Sequence, residues 1–173
     1  SPSAGYLIRK RVDPSAIPAS SSGTYKKRQG VLYRLAEAYL SYAESLYEYS
    51  VATGTYTDNE TEILDYINRV RYRAGIPQYG KGADQIPVTE AQLRDLIRRE
   101  RRVELNCEAG IRFDDLRRWK EAETALNGKF YGMNALAKST ERDEYYKRTL
   151  YQTRRFISYW WPIPQDDIDK KIG

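Results

Sequence analysis

The chain has 173 residues, of which 40% are hydrophobic and 31% charged, and a formal net charge of +5. This length and balance suit one folded domain that buries roughly two-thirds of its unfolded surface, and they exclude the disordered and fibrous classes. No apolar run approaches the roughly 20 residues of a membrane-spanning helix, and Ser1-Pro-Ser-Ala-Gly5 has neither the basic start nor the apolar core of a signal peptide.

In chain order, residues 1–30 read as an irregular arm, punctuated by Pro2, Pro14 and Pro18 and by the small-residue loop at 19–23. A helix is predicted from about Val31 to Val51. Leu32, Leu35, Tyr39, Tyr42, Ala43 and Leu46 form its apolar face, and Arg34, Glu37, Ser41, Glu44 and Glu48 its polar one. Thr57-Asp-Asn-Glu60 offers a capping box to a second helix that buries Ile63, Ile67, Val70 and Ala74. Gly75 is placed to end that helix in a left-handed conformation, and Pro77 prevents its resumption. The pair over 31–77 is an αα-hairpin, and Leu35, Ala36 and Tyr39 resemble the first helix of a tetratricopeptide repeat. One such unit cannot cover its own apolar face, so at least two helical neighbours are expected outside this chain.

Tyr79-Gly-Lys-Gly82 is a turn without the glycine and Lys-Ser/Thr spacing of a phosphate loop. Helices follow over 89–126. One is capped by Thr89 and Gln92 and reaches about Glu108; the next runs from near Phe113 to Leu126, with Phe113, Leu116 and Trp119 three apart. Residues 127–173 form a loop-rich closing segment. It holds an irregular stretch over 129–146, a short strand or extended segment at Arg155–Tyr159, and a last helical turn at Gln165–Ile168 beyond Pro162 and Pro164. The expected fold class is mainly α: a tetratricopeptide-like hairpin with further packed helices and long loops.

The third helix carries the most information. At 100° per residue, Leu93, Leu96, Ile97, Val103 and Cys107 share a face, and Glu100 and Glu104 fall within about 20° of Leu93 in its middle. Carboxylates on an apolar stripe must find cations or be neutralised. Arg112, Arg117 and Arg118 follow just past Gly110, so a structural Arg–Glu ion-pair network joining consecutive helices is expected. Cys107, the sole cysteine, reads as a small core residue rather than a reactive thiol.

Chemistry is poorly served by this composition. There is no histidine, hence no usual general base, triad partner or zinc ligand. No calcium loop occurs, and neither a metal nor a cofactor is expected. Paired carboxylates can cleave glycosides, but the general acid needs a raised pKa, which neighbouring cations oppose. The arginine pairs are interleaved with Glu100, Glu104, Glu108, Asp114 and Asp115, so no segregated cationic face for nucleic acid forms. Sixteen tyrosines, three tryptophans and three phenylalanines favour binding instead, because such rings pair an apolar face with a polar edge. Tyr39, Tyr42 and Tyr47 read as core, and Trp119, Trp160 and Trp161 as structural plugs. The ligand-binding candidates are Tyr131, Tyr145, Tyr146 and Tyr151, in or beside the irregular region.

Four ordered stretches carry a resemblance to a known family. They are VLYRLAEAYLSYAES at Val31–Ser45, INRVRYRAGIP at Ile67–Pro77, ERRVELNCEAGIRFDDLRRW at Glu100–Trp119, and YWWPIPQDDI at Tyr159–Ile168. Together they resemble the SusD/RagB family of surface nutrient-binding lipoproteins of Bacteroidetes-type bacteria. The resemblance implies a mainly α fold and no enzymatic activity. It further implies capture of an oligosaccharide at the outer membrane surface and delivery to a SusC-like TonB-dependent transporter. Anchoring would be through lipid on an N-terminal cysteine that this sequence does not contain, and the chain would be the C-terminal part of a longer protein. The alternatives are a peptide-capturing RagB-like protein, or a helical scaffold domain with no small-molecule ligand. Glu100, Glu104, Arg112 and Trp119 fall in the family's structural framework.

Overall fold

A computed structural model describes residues 8, 10, 12–16, 23, 30–108, 110–138 and 140–170. The expected irregular arm lies mostly outside these, as does its loop at 19–23 except for Gly23. The chain divides into two compact units, one spanning Asp13–Arg112 and the other Phe113 onward together with the residues before Asp13.

The first unit is helical. α1 spans Leu35–Thr53 and α2 spans Tyr56–Arg73. α1 starts four residues later than expected, and its buried face is Ala36, Leu40, Ala43, Glu44, Tyr47 and Ser50. Leu32, Leu35 and Tyr42 are exposed, so the face is turned by roughly a quarter of a circle from the expected one. Hydrophobicity alone put the larger residues inward. Packing against two helices instead buries Leu40 and Tyr47 together with Ala36, Ala43 and Ser50, whose small side chains let the backbones approach.

α1 stops at Gly54, whose φ of 71° is left-handed and whose N–H reaches the Ser50 carbonyl. The turn into α2 is held by the Asn59 side chain, which donates to Ser50 Oγ at 3.0 Å and to the Thr55 carbonyl at 3.3 Å. α2 therefore begins at Tyr56, before the expected box at Thr57–Glu60, and Glu60 pairs with Lys81 rather than capping. Gly75 has φ 68° and terminates α2 as expected, while Ala74 is exposed.

Between α2 and the next helix, Asn68 clamps the chain at Tyr79, donating to its carbonyl at 2.7 Å and accepting from its N–H at 2.8 Å. α3 spans Glu90–Glu104. The Gln92 side chain accepts from the Thr89 N–H at 3.1 Å and from its hydroxyl at 3.0 Å, so this cap forms as predicted. Ala43, Tyr47, Ile63, Ile67, Tyr79, Leu93 and Ile97 make one buried cluster among the three helices; Ala36, Leu40, Val70 and Leu105 make a second. Each fully buried Leu or Ile contributes about 1.5–3 kcal/mol.

α3 ends four residues short of Glu108. Cys107 takes φ 62° in the following turn and is exposed, as is Val103, so neither extends the stripe. For Cys107 the helical period on which the core reading rested ends with the helix, whereas Val103 lies within α3 at the edge of the stripe, about 80° from Leu93.

In the second unit the expected helix over 113–126 is two. α4 spans Ile111–Arg118, its residues from Phe113 on belonging here; Lys120 then turns left-handed at φ 60°, and α5 is the single turn Ala122–Ala125. β1, Gly128–Met133, and β2, Arg148–Arg154, form an antiparallel hairpin, with the turn α6, Arg142–Tyr145, between them. Of the two readings of Arg155–Tyr159, strand or extended segment, the strand is not formed there: β2 ends at Arg154. Neither strand carries the apolar–polar alternation that would reveal it, since every residue of β2 is exposed. A last turn, α7, spans Gln165–Asp169.

Candidate functional site

Glu100 and Glu104 behave as the stripe demands, and cations from upstream in the chain meet both. Arg71, on the last turn of α2, is buried and pairs with Glu100. Its guanidinium also donates to the Pro77 carbonyl at 2.6 Å and to the Tyr79 hydroxyl at 3.1 Å, and lies 4.0 Å from the centre of the Tyr79 ring. Glu104 meets Arg73 and Arg34. Arg34, just ahead of α1, forks onto Glu108 with two 2.8 Å bonds and also reaches the Glu104 carbonyl at 2.6 Å. The Glu108 bond is the chief reason that guanidinium is held above its ordinary range, against the opposing effect of burial. Glu44, expected on a polar face, is buried and pairs with Arg101. The network therefore binds α1, α2 and α3. Arg117 donates instead to the carbonyls of Ser158 and Tyr159, Arg118 pairs with Asp115, and Arg112 is half-buried on α4. Helix packing thus brings in Arg71, Arg73 and Arg34, which spacing along the chain did not indicate.

Two tyrosines of this unit give a pH prediction. Burial is the first cause raising both Tyr79 and Tyr56, the latter to about 12. Their folded values lie above the ordinary 10, so the unfolded chain loses these protons first. Their contribution is intact below about pH 10 and is lost as pH rises through the folded values. Thermal melts followed by circular dichroism should show the midpoint falling by a few degrees above that pH, and Tyr56→Phe should flatten part of the fall.

The aromatic surface lies in the second unit. On the hairpin, Tyr131 faces Leu150, Phe130 faces Gln152, and the irregularity between Phe130 and Tyr131 leaves Tyr151 unpaired. The Arg148 guanidinium lies 4.0 Å from the Tyr131 ring centre. Met133, Asn134, Leu136, Leu150 and Tyr151 line an open hollow of about 490 Å³. Tyr145 and Tyr146 stack edge to face at 5.4 Å on and beside α6, apart from that hollow's lining. Of the four sequence candidates, the structure thus brings Tyr131 and Tyr151 onto one hairpin and pairs Tyr145 with Tyr146.

A larger groove was not anticipated. Phe113, Arg117, Phe156, Trp160, Trp161 and Pro162 are among the residues lining about 580 Å³. The Arg117 guanidinium sits 4.7 Å from the Trp161 ring centre and 5.3 Å from that of Phe113, while its donors hold the 158–159 carbonyls. Lys120 Nζ lies 4.5 Å from the Tyr159 ring. Trp160 and Trp161, expected as core plugs, are 81% and 74% exposed. The signal was present as two tryptophans in an extended Pro-Ile-Pro run, but extended chain without a partner strand has no period from which to read a buried side. Such a surface can hold apolar ring faces and hydrogen-bond at their rims. Among the described residues no group of His, Cys, Asp or Glu is arranged to hold a metal ion, and no helix is long and apolar enough to cross a membrane.

Comparison with known proteins places this architecture. The SusD family matches over residues 1–173. The selenomethionine form of the protein BT4246 superposes with a TM-score of 0.70 at 34% identity, covering 91% of this chain and 25% of its own length. BF3747, a SusD-like protein from Bacteroides fragilis NCTC 9343, gives 0.62 at 28% identity over 83% of this chain and 24% of its own. BF0978 from the same organism, described as a SusD-like carbohydrate binding protein, gives 0.57 at 34% identity over 80% and 27%. No curated protein matched significantly. The chain therefore spans about a quarter of the length of the solved structures it matches. The family match over the full length, joined to the mainly helical fold, leads to one conclusion: this chain belongs to the SusD family.

Proposed function

We propose that this chain is the C-terminal part of a lipid-anchored protein of the outer membrane surface. The whole protein captures an oligosaccharide and passes it to a SusC-like TonB-dependent transporter. The observation that carries this reading is the 34% identity, over 80% of the chain, to a SusD-like carbohydrate binding protein. The aromatic surface supports it. The C–H faces of a sugar ring are apolar while its hydroxyls are not, which suits rings such as Tyr131 and Tyr151 with exposed faces and polar edges. Tyr145 and Tyr146 offer a second stacking pair. The protein binds and releases its ligand without chemistry.

The test is calorimetric titration of the full-length polypeptide with an oligosaccharide panel. At least one member should bind, and Tyr131→Ala with Tyr151→Ala should weaken it by about tenfold, or 1.4 kcal/mol. Binding of peptides but of no oligosaccharide would replace this reading with peptide capture. The delivery step predicts co-purification of a TonB-dependent transporter from detergent-solubilised outer membranes.

A further inference from the structure

In the helical unit arginines are matched to acids: Arg34, Arg71, Arg73 and Arg94 each hold a carboxylate. Past Glu123 the pattern changes. Neither 124–140 nor 145–165 contains an Asp or Glu, although 24 such residues are spread through the rest of the chain. Lys129, Lys138, Lys147, Arg148, Arg154 and Arg155 all fall in these two stretches, which the pairing of β1 with β2 lays side by side. Lys147 meets Glu144 at 2.5 Å, but among the described residues no carboxylate pairs with Lys129, Arg148, Arg154 or Arg155. Two of the guanidiniums lie on rings instead, Arg148 at 4.0 Å from the centre of Tyr131 and Arg154 at 4.8 Å from that of Phe130. Arg154 also donates to the Gln152 side chain at 2.8 Å, whereas the Arg148 side chain makes no hydrogen bond to the described residues. Ring contact favours the charge without using the N–H donors, which remain as a fork for two oxygens of one anion.

We infer that the glycan taken by this hairpin is acidic. A sugar ring lies against Leu150 and Tyr151, and its carboxylate or sulfate ester takes the donors of Arg148. The inference rests on the reading of the protein as an oligosaccharide binder and adds the charge of the ligand. Three observations carry it. Tyr131 is opposite Leu150 in the register and Met133 opposite Arg148, so these four residues share one face of the hairpin. Met133, Leu150 and Tyr151 then line the hollow of about 490 Å³, which puts Arg148 at its rim. That volume falls in the range of about 300–1,000 Å³ usual for small-ligand sites. The third observation is the missing acids. The hydroxyls of a neutral sugar donate as well as accept, and carboxylate oxygens would serve them, whereas a surface of Lys and Arg offers donors alone and suits a ligand rich in acceptors. A nucleic acid fits less well, because its phosphates ask for cations strung along a groove, and here they gather on one hairpin.

Calorimetric titration of the full-length polypeptide with matched pairs of oligosaccharides tests this. The pairs are tetragalacturonate with its methyl ester and a chondroitin sulfate tetrasaccharide with its desulfated form, beside a neutral glucan oligomer. At low salt at least one acidic member should bind about tenfold more tightly than its counterpart. The preference should shrink as ionic strength rises toward about 1 M, where the screening length falls to about 3 Å. Arg148→Gln should remove most of the preference. Arg102→Gln, an equal loss of charge at an exposed position of α3, should keep it. A preference lost on esterification assigns the anion as a carboxylate, and one lost on desulfation assigns it as a sulfate. Binding of the glucan or of the neutralised members as tightly as the acidic ones overturns this inference and leaves the glycan reading standing. A preference untouched by Arg148→Gln overturns it as well. Equal binding of a thymidine oligonucleotide of the same charge overturns the sugar as occupant. Binding of no oligosaccharide in the panel removes the glycan reading itself.

Discussion

Glu100→Ala is expected to destabilise the fold by about 3–5 kcal/mol, read as a lowered urea midpoint with little change in slope. The carboxylate accepts from Arg71 and, at 3.1 Å, from the Tyr79 hydroxyl, and all three groups are buried. Alanine would leave the guanidinium of Arg71 out of water without a counter-charge, its remaining contacts being a carbonyl, a hydroxyl and a ring face. The loss is therefore mostly the penalty of an orphaned charge rather than the strength of the pair. Two controls separate these. Replacing both partners, Arg71→Met with Glu100→Met, should recover most of the loss. Raising the salt should change the wild-type midpoint little through this pair, because buried charges are weakly screened. A cost below about 1 kcal/mol for the single replacement would place the pair among solvated ones.

Ile67→Ala is expected to cost about 2–5 kcal/mol, and Ile67→Val about 0.5–1.5 kcal/mol. Ile67 is fully buried on α2, in a cluster that draws Tyr47 from α1 and Leu93 and Ile97 from α3. A cavity there loses contacts with all three helices at once, and the surrounding side chains cannot all collapse into it. Leu35→Ala supplies the contrast. In this chain the change should stay within about 0.5 kcal/mol because the side chain is exposed. Urea unfolding of the three variants decides the point.

Local signals carried much of this architecture. The end of α2 was legible at Gly75 because only a left-handed residue closes a helix that way, and φ is a property of one residue. The cap at Thr89 and Gln92 was legible because it closes within four residues. The stripe with Glu100 and Glu104 in its middle required cations, and that demand needs only helical geometry and the penalty for a buried charge. The four ordered motifs pointed to the SusD family, and the match over the whole chain agrees.

What remained hidden depended on distance in sequence. Arg71, 29 residues from Glu100, and Arg34, 74 from Glu108, become partners only when three helices pack, and spacing along one helix says nothing of which neighbour faces it. The inward face of α1 was misjudged for the same reason. The expected face and the buried one both carry apolar residues, and the choice between them belongs to α2 and α3. The hairpin of Gly128–Met133 and Arg148–Arg154 escaped because its strands pair across a long excursion and bury too little to alternate. Trp160 and Trp161 escaped because chain held extended by prolines has no period that separates a buried side from an exposed one. Helix ends, caps and the need for charge balance are short-range properties of the residues themselves; which cation answers, which face is covered and where a groove opens are settled when distant segments meet.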